Sequence, residues 1–231
     1  IAQRNNVLQS LDISDADKRI LQNKIDKTSD CYIFVSKPYE RQKGDEKILK
    51  ELEKAIRWSR YITIKHAQDQ EAVQYQLKPY KIVFVNENFY LTGENTLHEN
   101  QDVTKFSLFR INNIKSIQMH TKQFHQDRDL LDFIKNIQTP FPKYTYPFRE
   151  YQIDVVIEVS SEKAKYFKMK KFFPSQIEEL QDDESLIVSY KFTQQMEVES
   201  FIKSWIPHVK VIKPLSLKEK IETEIKNYLN L

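Results

Sequence analysis

His120 and His125 are the only histidines close together in the chain. Their spacing suits neither two ligands on one helix face nor alternate residues of a strand. A zinc site needs three or four converging ligands, so the pair reads as exposed histidines following a strand. Cys31 is the single cysteine, which excludes an intrachain disulfide and a cysteine-based zinc site. Serines and threonines are scattered, and none sits in the sharp glycine-flanked turn that exposes a nucleophile. Asp182, Asp183 and Glu184 set three carboxyl groups in a row, the usual pattern of a solvated polar turn. Glycine occurs only at Gly44 and Gly93. A phosphate-cradling loop needs glycines clustered where backbone amides approach an anion, which excludes P-loop and Rossmann chemistry. The sequence offers no catalytic set, and neither a metal nor a cofactor is expected.

Charge distribution says more. Residues 103–126 contain no Asp or Glu but carry Lys105, Arg110, Lys115, Lys122, His120 and His125. Residues 72–86 are acid-free below Glu87 and carry Lys78 and Lys81. Tyr75, Tyr80, Phe89, Tyr90, Phe106 and Phe109 are interleaved with these cations. Basic side chains beside aromatic rings on a β platform suit single-stranded nucleic acid or a nucleotide, where phosphates are neutralised and bases stack. The same aromatics must also supply core, so about half of them are expected to be buried in any small barrel. A second basic run, Lys163, Lys165, Lys168, Lys170 and Lys171, reads as a solvated helix face.

These groups are positioned by a chain of changing period. Ser14 with Asp17 marks a helix start, and residues 31–35 form a short apolar run of strand type. Residues 46–58 carry one apolar stripe of Ile48, Leu49, Leu52, Ala55, Ile56 and Trp58, predicting a helix. From Tyr61 the period becomes two. Short β segments are predicted at 61–65, 73–77, 80–85, 89–92, 105–111 and 114–119, with a break at Pro79 and a hairpin over 82–91. A short helix is predicted at 129–137. Pro140, Pro142 and Pro147 then mark a linker. Beyond it the order is βαββαβ with a final helix at 217–228, which predicts an α+β sandwich.

The 231 residues, 40% of them hydrophobic, allow one large domain or two small ones at roughly 100–200 residues per domain. A formal charge of +3 permits an anionic partner without requiring one. No run of about 18 apolar residues and no signal-peptide pattern occurs, so no membrane partner and a cytoplasmic location are expected.

Residues 55–111 resemble the WYL domain of bacterial transcription regulators. The Ala55-Ile56 pair ends the opening helix, Ile62-Thr63-Ile64-Lys65-His66 follows as a strand, and Leu77-Lys78-Pro79 ends the next. Phe89-Tyr90-Leu91 stands where the family has Trp-Tyr-Leu, and Phe106-Ser107-Leu108-Phe109-Arg110-Ile111 where it has Phe-Arg-Leu-Asp-Arg-Ile. The second module resembles the WCX extension, through Phe172-Phe173-Pro174-Ser175-Gln176, Trp205-Ile206-Pro207 and Val211-Ile212-Lys213-Pro214. The chain departs from the family at His66, commonly Tyr, at Tyr75, commonly Arg, and at Ser107 and Phe109, commonly Arg and Asp.

The resemblance implies an α+β chain: a small Sm-like, SH3-type β-barrel followed by an α+β sandwich, with a helical N-terminal segment. The expected organisation is a helical segment at 1–45, a barrel sensor domain at 46–125, a helix and Pro-rich linker at 126–150, and a WCX-like domain at 151–231. It implies a ligand-sensing and dimerising part of a transcription regulator, binding single-stranded nucleic acid or a nucleotide. Reading of operator DNA falls to an N-terminal helix-turn-helix, which residues 1–50 do not resemble. A stand-alone nucleic-acid-binding module and an oligomerisation fragment without ligand are the other two readings the sequence admits. The expected ligand site holds Arg110, Tyr90 and His66, rimmed by Lys78, Lys81 and Lys105, with Phe89 and Leu91 turned into the core. A homodimer is expected from the apolar edge of the final helix and from the family's two-fold assemblies, with the WCX-like module reaching the other chain's barrel.

Overall fold

Ile48, Leu49, Leu52, Ala55 and Ile56 recur every three or four residues, and they drive helix α1 (Glu46–Arg57). Leu52 and Ala55 are fully buried, and the other three pack against the same cluster. The computed structural model describes residues 46–68, 71–96 and 106–230. The helix start expected at Ser14, the strand expected at 31–35 and Lys105 lie outside them. Trp58, expected in the helical stripe, falls just past the helix end and stays exposed under the Arg60 guanidinium, 5.1 Å from its ring.

Five antiparallel strands follow: β1 (Arg60–Gln68), β2 (Glu71–Val85), β3 (Asn88–Asn95), β4 (Phe106–Arg110) and β5 (Ile114–Gln123). Their order is β4-β3-β2-β1-β5. The two segments expected on either side of Pro79 are one strand. The register shifts between Pro79 and Lys81, leaving Tyr80 as an extra residue. Pro79 has no N–H to give a ladder, and a bulge is where a strand tolerates that. Residues 71–77 pair with β1 and residues 77–85 with β3. The sheet is therefore two three-stranded halves sharing β2.

Hydrogen bonding leaves β4 and β5 as the two edges, yet a single 3-10 turn, Ile111–Asn113, joins them. Edges of a flat five-stranded sheet lie about 19 Å apart at ~4.8 Å per strand. The backbone from Arg110 to Ile114 spans at most about 14 Å. The sheet must curl. Inside the curl lie Ile62, Ile64, Leu77, Leu91, Phe109, Ile111 and Ile114, with α1 against them.

Helix α2 (Arg128–Lys135) is capped by Asp127, whose Oδ1 accepts from Leu130 N at 3.1 Å. Its Leu130, Phe133 and Ile134 pack with Tyr80 and Phe106 of the first sheet, with Phe124 just past β5, and with Phe148. The proline-rich stretch is anchored along its length: Phe148 and Thr139 are buried, and Tyr144 Oη donates to Asp129 Oδ2 at 2.9 Å.

The second sheet has the order β7-β8-β6-β9, from β6 (Ile153–Val159), β7 (Ile177–Leu180), β8 (Leu186–Phe192) and β9 (Val209–Lys213). Helices α3 (Ser161–Met169), α4 (Met196–Ser204) and α5 (Leu215–Leu229) interleave with it. The first and third strands are central, as in a split βαβ unit. Val155, Ile157, Val159, Val188 and Tyr190 alternate onto one face, which Ala164, Phe167, Val198, Ile202, Leu217 and Ile221 cover. Glu197, buried at the start of α4, accepts from Thr139 Oγ1 at 2.7 Å and from Thr193 N at 2.7 Å. The described residues belong to one compact unit, Glu40–Leu231, a mixed α+β body with two antiparallel sheets.

Candidate functional site

Tyr90 on β3 and Arg110 on β4 are direct cross-strand partners. Opposed residues of an antiparallel pair share a face, so the ring and the guanidinium stand side by side on the outside of the curl. Arg110 Nη2 donates to Asn88 Oδ1 at 2.6 Å, and Asn88 is on the same face, two residues before Tyr90. This bond fixes the guanidinium beside the β2–β3 turn. Asn88 is the residue that sequence reasoning missed. Its only trace is its place in an Asn-rich turn, and the partnership depends on the β3–β4 register.

His66 is elsewhere. It lies on β1 opposite Val73, and is only 8% exposed. Its ring packs edge-on against Phe109 at 5.5 Å and Tyr75 at 6.4 Å. Phe109 and Arg110 are consecutive strand residues and point to opposite faces. His66 therefore faces the interior, on the other side of β4 from the Arg110 guanidinium. Burial lowers its pKa, and the nearby Arg110 backbone opposes that only in part. Neither ring nitrogen has a hydrogen-bond partner of normal geometry.

The expected lysine rim divides. Lys78 is half-buried and its ammonium pairs with Glu94 at 3.0 Å, so that charge is already answered. Lys81 is exposed; its backbone N–H donates to Thr92 Oγ1 at 2.9 Å, and Thr92 returns a bond to Lys81 O at 2.9 Å. Thr92 is on the Tyr90 face, which sets Lys81 diagonally from that ring. Lys105 lies outside the described residues.

Leu91 is fully buried as expected, whereas Phe89 is 45% exposed. The two-residue turn at Asn86 and Glu87, both with positive φ, puts Phe89 opposite Phe84 near the hairpin tip, beyond the reach of the inner cluster. The two rings pack on each other at 4.8 Å instead. Among the described residues, no group of three His, Cys, Asp or Glu side chains comes together as a metal site would require. No helix of the described residues is long and apolar enough to cross a membrane.

A curled antiparallel sheet led by a helix, followed by a split βαβ module with a covering C-terminal helix, defines a two-module α+β chain. The WYL domain model matches residues 47–118 and the WCX domain model residues 151–229. The chain belongs to the WYL-domain family, with a WCX domain after the WYL domain.

Among solved structures, the chain is similar to the proteasome accessory factor B/C (PafBC) of Arthrobacter aurescens. That match is 14% identical, with a TM-score of 0.33, and covers 84% of this chain and 28% of that one. It is also similar to a CRISPR Cas-related protein, 12% identical with a TM-score of 0.53, covering 80% of this chain and 50% of that one. The second likeness shows a shared fold. This chain spans half or less of the length of either structure. No curated protein matches the sequence.

Proposed function

We propose that this chain is the ligand-sensing and dimerising part of a bacterial transcription regulator, and that it is not an enzyme. Membership of the WYL family, with a WCX domain following, supports the regulator reading. The curled sheet, whose edge strands are joined by one short turn, supports a small Sm-like barrel as the sensor, with the two modules meeting near the 126–150 stretch.

The ligand we propose is single-stranded nucleic acid or a nucleotide, taken by the outer face of β3 and β4. One observation carries this: Tyr90 and Arg110 stand side by side across two strands, with Lys81 exposed on the same face. Arg110 offers a planar cationic fork to phosphate. Tyr90 supplies a ring for a base. His66 supports the site from the inner side of β4 by packing on Phe109, and Lys78 pairs with Glu94 farther along the Tyr90–Thr92 face.

Fluorescence anisotropy with a labelled single-stranded oligonucleotide tests the reading. Arg110→Ala is expected to weaken binding by ~1–3 kcal/mol and to lower the salt dependence by about one phosphate contact. Equal affinity and equal salt slope in wild type and variant would remove Arg110 from the site. No binding by wild type at low salt would remove the nucleic-acid ligand.

A further inference from the structure

A second cavity opens on the other half of the curled sheet. It is a half-open cleft of about 250 Å³ lined by Tyr61, Gln76, Thr96, His120 and Lys122, which come from β1, β2, the residue just past β3, and β5. The lining groups are held by contacts within the sheet. Lys122 Nζ sits 5.0 Å over the Tyr61 ring, and Phe124 packs edge-on against that ring at 5.6 Å, so the cation is placed by an aromatic shelf. Among the described residues, no carboxylate pairs with Lys122. His120 Nε2 lies 2.8 Å from Thr63 Oγ1, and in the tautomer where Nε2 accepts from that hydroxyl, Nδ1–H is a donor. Thr96 Oγ1 donates to Gln76 O at 3.0 Å and shares that proton with Gln76 Oε1 at 3.2 Å. The Gln76 NH₂ group makes no hydrogen bond among the described residues.

An ammonium, an imidazole and a primary amide then line one cavity, with no carboxylate among the described lining residues. A tetrahedral oxyanion with three or more acceptor oxygens matches such a set better than a planar carboxylate with two. The volume lies just under the ~300 Å³ at which drug-sized pockets begin, so it has room for a phosphate monoester. We propose that this cavity is a phosphate-monoester site, separate from the Tyr90–Arg110 face and independent of the nucleic-acid reading given to that face. Lys122 neutralises the phosphate, while Gln76 and His120 orient it.

Isothermal titration of the full chain with inorganic phosphate, 5′-AMP, ribose 5-phosphate and adenosine tests this. Phosphate, AMP and ribose 5-phosphate are expected to bind at one site and adenosine not to bind. Lys122→Met, which keeps an apolar stem over Tyr61, is expected to weaken AMP at least about tenfold, as loss of a charge-assisted hydrogen bond implies. Gln76→Ala should weaken it less. Lys115→Met, an exposed charge on the same strand outside the cavity, should leave it unchanged. Circular dichroism melts of the variants verify that each is folded. Absence of phosphate and AMP binding by wild type overturns the proposal, as does equal weakening by Lys115→Met and Lys122→Met. Adenosine binding as tightly as AMP overturns the assignment to phosphate. The oligonucleotide assay with Arg110→Ala reads the other face, so either site can fail alone.

Discussion

Replacing His66 with Phe should remove a specific part of the protein's sensitivity to acid. The imidazole is 8% exposed, wedged between Phe109 and Tyr75, and burial holds its pKa below the ordinary 6.5. In the unfolded chain the same group titrates at about 6.5. Because the folded pKa is the lower one, the unfolded state binds the proton first. His66 therefore costs nothing above pH ~6.5 and erodes stability as pH falls below it.

At pH 5.5 the unfolded imidazole is about ten-elevenths protonated. If the folded ring stays neutral, the loss reaches a ceiling of about 1.4 kcal/mol relative to pH 7.5. Solvent access at the sheet's rim lowers the figure from that ceiling. Urea unfolding of wild type and His66→Phe at pH 7.5 and 5.5 isolates the effect, because every other titrating group cancels in the double difference. The larger ring brings its own packing cost at pH 7.5, of about 1 kcal/mol, but that offset is the same at both pH values. The wild type should lose more stability on acidification than the variant does. Identical losses would mean that the ring is protonated as readily in the folded chain as in water, and the reasoning would fail.

Glu87 occupies a left-handed conformation at φ 63° in a two-residue hairpin turn. Such turns favour Asn-Gly, and Glu87→Gly should raise stability by about 0.5–1 kcal/mol in urea titrations. Glu197 is buried and accepts four hydrogen bonds, from Thr139 Oγ1, Thr193 N, Thr193 Oγ1 and Gln194 N. Glu197→Ala should cost about 3 kcal/mol by chemical denaturation, and a value under about 1 would show the network is not cooperative. The proposed homodimer predicts a light-scattering mass twice that of one chain at micromolar concentration, and a single-chain mass there would refute it.

Alternation made β1, β6 and β8 readable, because each has one face in a core: Ile62 and Ile64, Val155 and Ile157, Val188 and Tyr190. The stripe on α1 was equally plain. Pro79 misled because proline ends an ordinary central strand, and only the pairing of Gly93 opposite it shows that β2 continues through a bulge. The proposed ligand site was harder. Tyr90 and Arg110 are 20 positions apart, and a shift of one residue in the β3–β4 register would separate them onto opposite faces. The Lys78–Glu94 pair depends on register in the same way. The family resemblance groups His66 with Arg110, but whether a strand residue points outward is decided by how the sheet curls, and His66 points inward. The burial of Thr139 and Phe148 has no local signature, since it comes from partners more than ten residues away in sequence.

The turn at Ile111–Asn113 joins the two edges of a sheet that hydrogen bonds alone would leave free to unroll. Mechanically it is a strap of fixed length across an open seam. The seam cannot part by more than about 14 Å at that end without breaking the chain or extracting Ile111 and Ile114 from the core. Flattening beyond that span is thus forbidden. The Tyr90–Arg110 pair sits on β3 and β4, and the Lys122 cleft draws on β1, β2, β5 and Thr96 just past β3, so it bridges the two halves that the strap holds together.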